Sequence, residues 1–259
     1  MSAPGIRSHP SDTGRSLSLL VTRKFEMVCS LAEKSKVNIT LEWNDIGGTS
    51  KHHMGTFQID FWFTMGSTYS FLSVMRLADV ERSSGISFRW RPFHLLVILE
   101  EMKHIPFADK PAKAAYMWRD IERRAAMYGL EAIVPAPYPA KLSIIANLVA
   151  TVGMQEGWGI DFVRAAYRRW FVHGQETGSE PNVSESLHEI GQDPDRVLKL
   201  AADDKTKATL TAETVAARSL GIFGSPTFSV EREIFWGDDR LDDAINWYKS
   251  RHLAAAPPM

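Results

Sequence analysis

The chain has 259 residues, of which 44% are hydrophobic and 24% are charged, and its formal net charge at pH 7 is −1. This composition is that of a globular protein with a sizeable core, and the near balance of 30 basic and 31 acidic residues favours neither a nucleic-acid nor a membrane-surface partner. A single cysteine, Cys29, excludes an intrachain disulfide, a Cys-x-x-Cys redox pair and a multi-cysteine zinc site. We therefore expect a reducing, cytoplasmic location and no metal site.

Residues 1–55 differ in character from the rest of the chain. They carry clusters of Ser, Gly, Thr, His and Lys with weak periodicity, and the stretch from Gly47 to Gly55 is typical of a linker. We predict that residues 1–55 form a poorly ordered N-terminal extension.

A strand–helix–strand unit follows the extension. Phe57–Phe63 is aromatic-rich, as a buried strand often is, and Tyr69–Arg82 has apolar residues at helical spacing. Ile86–Trp90 is predicted as a second strand that stops at Arg91-Pro92. Because the unit is short and complete, the two strands are expected to be parallel, with a right-handed crossover.

The middle of the chain has helical patterns throughout, and strands return near its end. The predicted helices span Lys110–Tyr128, Lys141–Glu156, Ile160–His173, Val183–Ile190, Asp195–Ala202 and Asp203–Leu220. Thr227–Val230 and Glu233–Trp236 are predicted to form a hairpin, and Asp238 is predicted to cap a terminal helix that runs through about Lys249. This order predicts an α/β protein with one mixed sheet and helices on its faces.

Ser67 lies where the first strand turns into the first helix. Free backbone N–H groups and the positive end of the helix dipole meet at such a point, so a bound thiolate would be stabilised there by the dipole and by the serine hydroxyl. The alternative is structural, because Ser67 or Thr68 is also a good helix N-cap.

Ser225-Pro226 follows a glycine and opens the third strand. A proline there is often only a strand-edge device. A cis bond at this position would instead fix a tight turn and direct the backbone N–H and C=O of Ser225 outward, toward an extended peptide.

Asp238 and Asp239 follow the last strand. Two acids at the start of a helix are commonly caps and partners of the helix dipole. A carboxylate there would equally bind the α-amino group of a γ-glutamyl residue, while helix N–H groups bound its α-carboxylate. Both interpretations stay open on the sequence.

These motifs together resemble the 2-hydroxychromene-2-carboxylate isomerase family, which is related to kappa-class glutathione transferases and DsbA-like oxidoreductases. The resemblance covers residues 57–249. The segments that carry it are Phe61–Leu72, Trp90–Phe93, residues 110–117 with Asp120 and Arg123, Gly221–Phe228 and Phe235–Arg240. It implies a thioredoxin-like mixed sheet with a large all-helical insertion, formed here by residues 56–92 and 205–252 around an insertion at 93–204.

The resemblance also implies site residues and a cofactor. Ser67 would be the catalytic serine that supports the thiolate of glutathione, and Ser225, before a cis Pro226, would pair with the backbone of the glutathione cysteine. Asp238 and Asp239 would hold the γ-glutamyl end. The family's substrate cleft would be lined here by His104, Lys113, Tyr116 and Asp120.

Two positions depart from the family pattern. Thr68 stands where the family often has proline, which alters the rigidity of the active turn but keeps the serine. The family often has an Asn-x-Pro turn near glutathione, and His104-Ile105-Pro106 takes its place here. The second departure leaves the fine specificity open.

The predicted activity is a glutathione-dependent isomerisation of a small electrophilic substrate, by reversible addition of the thiolate to a conjugated aromatic pyruvate-like compound. A kappa-like glutathione transferase or peroxidase is the alternative within enzymes, and a non-catalytic thioredoxin-fold binding module is the alternative outside them. Arginines at helical spacing, at 119, 123 and 124 and at 164, 168 and 169, form either solvated helix faces or sites for an anionic substrate. The resemblance also implies a homodimer.

Overall fold

The computed structural model describes residues 59–104, 107 and 110–251, so the prediction for residues 1–55 lies outside the described part of the chain. Four strands form one mixed sheet in the order β2-β1-β3-β4. They are β1 Ile59–Phe63, β2 Phe88–Pro92, β3 Thr227–Val230 and β4 Glu233–Trp236. β1 is parallel to β2 and antiparallel to β3, and β3 and β4 form an antiparallel hairpin. The mixed sheet, the parallel first pair and the hairpin are confirmed.

Strand β2 runs through the predicted stop. Pro92 lies opposite Phe63 in the register with β1, so Arg91 and Pro92 belong to the strand, and the predicted end at Trp90 is wrong. Proline cannot donate to a sheet ladder and is therefore tolerated on edge strands. β2 is an edge strand of this sheet, which explains why Pro92 does not interrupt it.

The helices lie between and after these strands. They are α1 Thr68–Ser84, α2 Leu95–Glu101, α3 Pro111–Met127, α4 Ser143–Glu156, α5 Gly159–His173, α6 Asn182–Glu189, α7 Pro194–Ala202, α8 Asp204–Ser219 and α9 Leu241–Ser250. Helices α2 to α8 separate β2 from β3 in the chain. The domain boundaries that we predicted at 92/93 and 204/205 stay predictions. Among the described residues no helix has both the length and the apolar character that crossing a membrane requires.

Two local features differ from the prediction. Helix α2 is not evident from periodicity because it has only seven residues, and tertiary contacts support it: the His94 N–H donates to Thr214 Oγ1 at 3.0 Å, and Ile98 packs in a buried cluster with Trp62. The predicted N-cap role of Asp238 is wrong. Asp238 belongs to a 3₁₀ turn, Asp238–Arg240, and α9 begins only at Leu241.

Aromatic packing holds β1 at the centre of the fold. On one face Phe61 stacks on Phe63 and Phe228, each at 5.3 Å between ring centroids, and Trp90 meets Phe61 edge-on at 4.9 Å. On the other face Trp62 is fully buried in the cluster that α2 joins. Buried aromatic side chains contribute large apolar areas, so the end of β1 is a rigid platform for the turn that follows it.

Candidate functional site

The turn after β1 places Ser67 at the N-terminus of α1. Its N–H donates to Thr64 O at 3.0 Å, which closes the turn. Ser67 has extended backbone geometry and is the N-cap of α1, and its Oγ accepts from the Ser70 N–H at 3.3 Å. The capping interpretation of Ser67 is therefore confirmed. A cap does not exclude a chemical role, because a hydroxyl that accepts one hydrogen bond still has a proton to donate.

The loop before β3 lies against this turn. The Ser225-Pro226 bond is cis, and the Ser67 hydroxyl donates to the Ser225 carbonyl oxygen at 2.7 Å. The Ser225 Oγ accepts from the Thr64 N–H at 3.0 Å. The structure thus brings together Ser67 and the Ser225-Pro226 turn, two predicted site elements that are 158 residues apart in the sequence.

Buried hydroxyl groups lie beneath the two turns. Ser70 Oγ and Ser225 Oγ are 2.8 Å apart, and the Tyr167 hydroxyl from α5 lies 2.9 Å from Thr64 O and 3.1 Å from Ser67 O. Tyr167 is fully buried, and burial raises the pKa of its hydroxyl far above the ordinary value, so it stays a neutral donor. Sequence patterns do not single out Ser70 or Tyr167, because both occupy ordinary positions in helical patterns.

An asparagine from α4 supports the same turn. Asn147 is fully buried, its Oδ1 accepts from the Met65 N–H at 2.9 Å, and its Nδ2 donates to Thr64 Oγ1 at 2.9 Å. Buried amides are retained where their hydrogen bonds are satisfied. A polar residue inside an otherwise apolar helix pattern is the signal that would have pointed to Asn147.

Asp238 is turned into the protein. Its side chain is 1% exposed, its Oδ1 accepts from Ser73 Oγ at 2.9 Å and from Arg76 Nε at 3.2 Å, and its backbone carbonyl accepts from Arg76 Nη2 at 2.8 Å. The guanidinium of Arg76 also lies over the Tyr128 ring at 4.2 Å. Burial first, and then the charge of Asp238, raise the pKa of Tyr128. Asp238 therefore anchors the 3₁₀ turn to α1.

Asp239 faces outward from the same turn. Its side chain is 41% exposed, and its Oδ2 lies 3.3 Å from Arg240 Nη2 and 3.8 Å from Arg124 Nη2 of α3. Gly237 precedes the pair with a φ of +119°, and a Cβ there would come within 2.5 Å of Asp239 Oδ1. Glycine at 237 thus permits the conformation that presents Asp239.

Helix α3 packs onto the first turn of α1. The Thr68 hydroxyl donates to Met117 Sδ at 3.1 Å, and the Tyr69 hydroxyl donates to Asp120 Oδ2 at 3.1 Å. Thr68, which replaces the family's proline, therefore has a partner on α3. Among the predicted cleft residues, Asp120 is the one that this packing brings to the Ser67 turn.

Asp120 is the centre of a charged cluster. Arg123 Nη2 donates to its Oδ1 at 3.2 Å, and Arg124 Nε donates to its Oδ2 at 3.1 Å. Burial alone would raise the pKa of Asp120, but the two arginines outweigh burial and lower that pKa below its ordinary value. Burial and the charge of Asp120 raise the pKa of Tyr69, so its phenol stays protonated. The cluster is charged and fixed at neutral pH.

The other predicted cleft residues are Lys113 and Tyr116, nearer the start of α3 than Asp120, and His104, which follows α2. Lys113 Nζ is 5.6 Å from the centre of the Phe107 ring, and Tyr116 is 61% exposed with the Arg123 guanidinium 5.6 Å from its ring. The His104 N–H donates to a carbonyl of α2 at 2.8 Å. Their role in substrate binding stays a prediction.

Two arginines of the second group, Arg168 and Arg169, form ion pairs rather than a free anion site. Arg168 pairs with Glu189 at 2.6 Å, and Arg169 pairs with Glu185 at 2.6 Å and with Glu189 at 3.0 Å. These contacts support the interpretation of a solvated helix face. Within the described ranges no three His, Cys, Asp or Glu side chains are grouped as a metal site would need.

The arrangement can be compared with known proteins. Residues 58–248 match the family model of the DSBA-like thioredoxin domain. The chain belongs to this family. Within it, the predicted resemblance is confirmed: the chain is 28% identical over 191 residues to a 2-hydroxychromene-2-carboxylate isomerase of Sphingobium xenophagum, which covers 71% of this chain and 94% of the relative.

Similarity extends to a second relative and to a solved structure. Glutathione S-transferase kappa 1 of Caenorhabditis elegans is 24% identical over 198 residues, covering 71% of this chain and 87% of the relative. A solved structure of 2-hydroxychromene-2-carboxylate isomerase superposes with a TM-score of 0.63 at 22% identity, covering 71% of this chain and 90% of that one. The predicted thioredoxin-like fold is thereby confirmed.

Proposed function

We propose that the protein is a glutathione-dependent enzyme whose Ser67 hydroxyl, at the N-terminus of α1, stabilises the thiolate of bound glutathione. The observation that carries the proposal is the 2.7 Å hydrogen bond from Ser67 Oγ to Ser225 O, because it places a rotatable hydroxyl donor beside the cis-proline turn. Relatives named as isomerases and as a glutathione transferase support an enzyme of this kind.

Glutathione binding requires one exchange of hydrogen bonds at this point. The Ser67 hydroxyl turns from Ser225 O to the sulfur of glutathione, while its oxygen keeps the bond from the Ser70 N–H. The released Ser225 carbonyl then accepts the cysteinyl N–H of the tripeptide. The dipole of α1 and the serine proton both favour the thiolate over the thiol, which lowers the pKa of the bound sulfur.

The γ-glutamyl end is assigned to Asp239. The sequence offered both Asp238 and Asp239, but Asp238 is buried under Ser73 and Arg76 while Asp239 is partly exposed. In the proposal Asp239 therefore binds the α-ammonium group, and Asp238 holds the turn in place.

The reaction that this site supports is isomerisation without net transfer. The thiolate forms a bond to a conjugated carbon of the substrate, and the electrons of the double bond move to the carbonyl oxygen as an enolate. After rotation about the resulting single bond, the electrons return and the carbon–sulfur bond breaks, so glutathione is regenerated. In the proposal, basic side chains of the helical insertion supply positive charge for the substrate carboxylate and the enolate.

A kappa-like glutathione transferase or peroxidase is the second candidate, and the Caenorhabditis elegans relative favours it. The same thiolate would then remain bonded to the substrate or be oxidised. A non-catalytic binding module on the same fold would bind glutathione without turnover. A disulfide oxidoreductase is disfavoured, because the turn Met65-Gly66-Ser67-Thr68 contains no cysteine. A small-molecule substrate and a homodimeric assembly, both expected from the resemblance, are part of the proposal.

The test compares Ser67→Ala with a matched serine on the same helix. Ser83, at the exposed C-terminal end of α1, donates only to Val80 O at 3.2 Å, so Ser83→Ala is the control. Calorimetric titration is expected to show glutathione binding by the native protein and by Ser83→Ala. The ultraviolet absorbance of the thiolate is expected to show a lowered thiol pKa in both, and a pKa restored toward that of free glutathione in Ser67→Ala.

Turnover separates the candidate activities. With glutathione present, the native protein is expected to interconvert 2-hydroxychromene-2-carboxylate and its open-chain isomer, and Ser67→Ala is expected to lose at least about tenfold in rate. Full turnover by Ser67→Ala, or no binding of glutathione by the native protein, would contradict the proposal. Turnover of generic electrophiles alone would favour the transferase.

A further inference from the structure

A cavity lies between α1, α5 and the end of α6, outside the site around Ser67. Its volume is about 280 Å³, close to the lower limit of about 300 Å³ for ligand pockets. One residue of α1, three of α5 and two at the end of α6 line it: Met75, Asp161, Arg164, Arg168, Glu189 and Ile190. None of these belongs to the proposed thiolate site, so a ligand bound there would not displace glutathione.

Arg164 is the cation of this cavity that has no partner carboxylate. Among the residues that the structure describes, its side chain makes neither a hydrogen bond nor an ion pair, and its guanidinium lies 5.8 Å from the centre of the Trp90 ring. Arg168, one turn farther along α5, is instead paired with Glu189 at 2.6 Å. A guanidinium carries five N–H donors in a fixed fork that matches a carboxylate. An anionic ligand in the cavity would therefore bind to Arg164.

Trp90 adds a second donor in the same neighbourhood. It is 6% exposed, and its Nε1 is buried without an acceptor among the described residues. Buried N–H groups are normally hydrogen-bonded, so an unsatisfied one is uncommon. The indole that Arg164 faces thus carries an unused N–H as well, and N–H donors are in excess over acceptors at this point of the surface.

The remaining lining residues restrict the kind of anion. The carboxylates of Asp161 and Glu189 balance the charges of the two arginines, so the lining has no net charge and would repel a dianion such as phosphate. Met75 and Ile190 are partly buried and give the cavity apolar surface. A ligand with one negative charge and an apolar body fits this combination.

We infer that the cavity is a binding site for a small organic monocarboxylate, with the carboxylate on the guanidinium of Arg164 and the apolar body against Met75 and Ile190. This site is separate from the proposed glutathione site and does not depend on the proposed function. A carboxylate on a guanidinium fork forms charge-assisted hydrogen bonds, which are stronger than neutral ones.

The experiment uses benzoate as the probe and benzamide, its neutral isostere, as the comparison ligand. Nuclear magnetic resonance of methionine methyl groups locates the binding, because Met75 lines the cavity while Met117 Sδ accepts from Thr68 at the Ser67 turn. Met75→Leu assigns the Met75 signal. In the native protein, benzoate is expected to shift the Met75 signal to saturation and to bind at least about tenfold more tightly than benzamide.

Three variants test the role of Arg164. Arg164→Gln is expected to lose the preference for benzoate. Arg196→Gln, which removes the same charge from a 43% exposed arginine on α7, and Ser67→Ala are expected to keep it. Asp161→Asn is expected to bind benzoate about two- to fivefold more tightly, since it removes a nearby like charge. A gain in affinity cannot result from loss of the fold.

Other outcomes would overturn the inference. It is wrong if benzoate and benzamide bind equally, if Arg164→Gln keeps the preference, or if inorganic phosphate binds more tightly than benzoate. It is also wrong if benzoate shifts the Met117 signal and not that of Met75, because the carboxylate would then bind at the Ser67 turn. Glutathione binding is measured separately, so none of these results decides the proposed function.

Discussion

The hydroxyl of Ser67 shows how one side chain serves folding and chemistry together. Its oxygen accepts from the Ser70 N–H and so caps α1, while its proton is donated to Ser225 O. Because the acceptor and donor roles use different parts of the hydroxyl, the proton can be redirected to a ligand without loss of the cap. The neighbouring hydroxyls of Ser70 and Tyr167 contact the two turns and hold them in position.

Tyr167 is expected to be important for stability even though it faces no ligand. Tyr167→Phe removes the hydroxyl that lies 2.9 Å from Thr64 O and 3.1 Å from Ser67 O, and leaves the buried Thr64 carbonyl and the part-buried Ser67 carbonyl without that donor. We expect a loss of about 1–3 kcal/mol in the free energy of unfolding, measured by urea denaturation. Tyr116→Phe, at an exposed position, is the control and should change little. Equal stability of the two variants would contradict the role assigned to Tyr167.

At the scale of elements, the site is formed where the end of β1, the start of α1, the loop before β3 and helix α3 meet. The hairpin of β3 and β4 supports the loop. Trp236, the last residue of β4, stacks edge-on with Phe223 at 4.8 Å and covers Gly224, which precedes Ser225. The glycine therefore permits a close approach between the loop and the end of the hairpin.

The close contact between Gly224 and the Trp236 indole is testable by adding a side chain at 224 and then removing the indole. A Cβ at residue 224 would come within 2.1 Å of Trp236 Nε1, so Gly224→Ala must displace the indole or the loop. We expect a loss of about 1–3 kcal/mol in stability together with weaker glutathione binding. The double variant Gly224→Ala, Trp236→Ala lacks the indole that the new Cβ would meet, so its affinity for glutathione should be close to that of Trp236→Ala. A double variant that binds much more weakly than Trp236→Ala would show that the loop itself cannot accept a side chain at 224.

Motifs and elements were predicted from the sequence to different extents. The Ser67 turn, the Ser225-Pro226 loop and the hairpin are local patterns, and they were predicted. Helix α2 was not, because its seven residues depend on packing against Trp62 rather than on periodicity. The continuation of β2 through Pro92 was missed for a related reason, since only the strand order shows that β2 is an edge.

At the scale of the whole molecule, the family match and the described core cover the same part of the chain. The family model spans residues 58–248, and the aromatic packing of the sheet, the hydroxyls beneath Ser67 and the charged cluster on α3 all lie within residues 59–251. The proposed activity therefore depends on this region.

A protein consisting of residues 56–252 is expected to fold and to bind glutathione as the full chain does. The physical reason is that the trimmed protein retains the buried core residues, which lie within residues 59–251. Thermal unfolding followed by circular dichroism measures the first property and calorimetry measures the second. A trimmed protein that folds but does not bind would show that the site requires residues outside 56–252.

The sequence by itself determined the order of the elements, the mixed sheet and the two turns that carry Ser67 and Ser225, because apolar periodicity and turn residues act over short distances along the chain. Only the tertiary structure distinguished Asp238 from Asp239. The two are chemically identical neighbours, and their difference arises from Ser73 and Arg76, which bury the first, and from Arg124, which faces the second. Such contacts join residues more than 100 positions apart, and no local pattern encodes them.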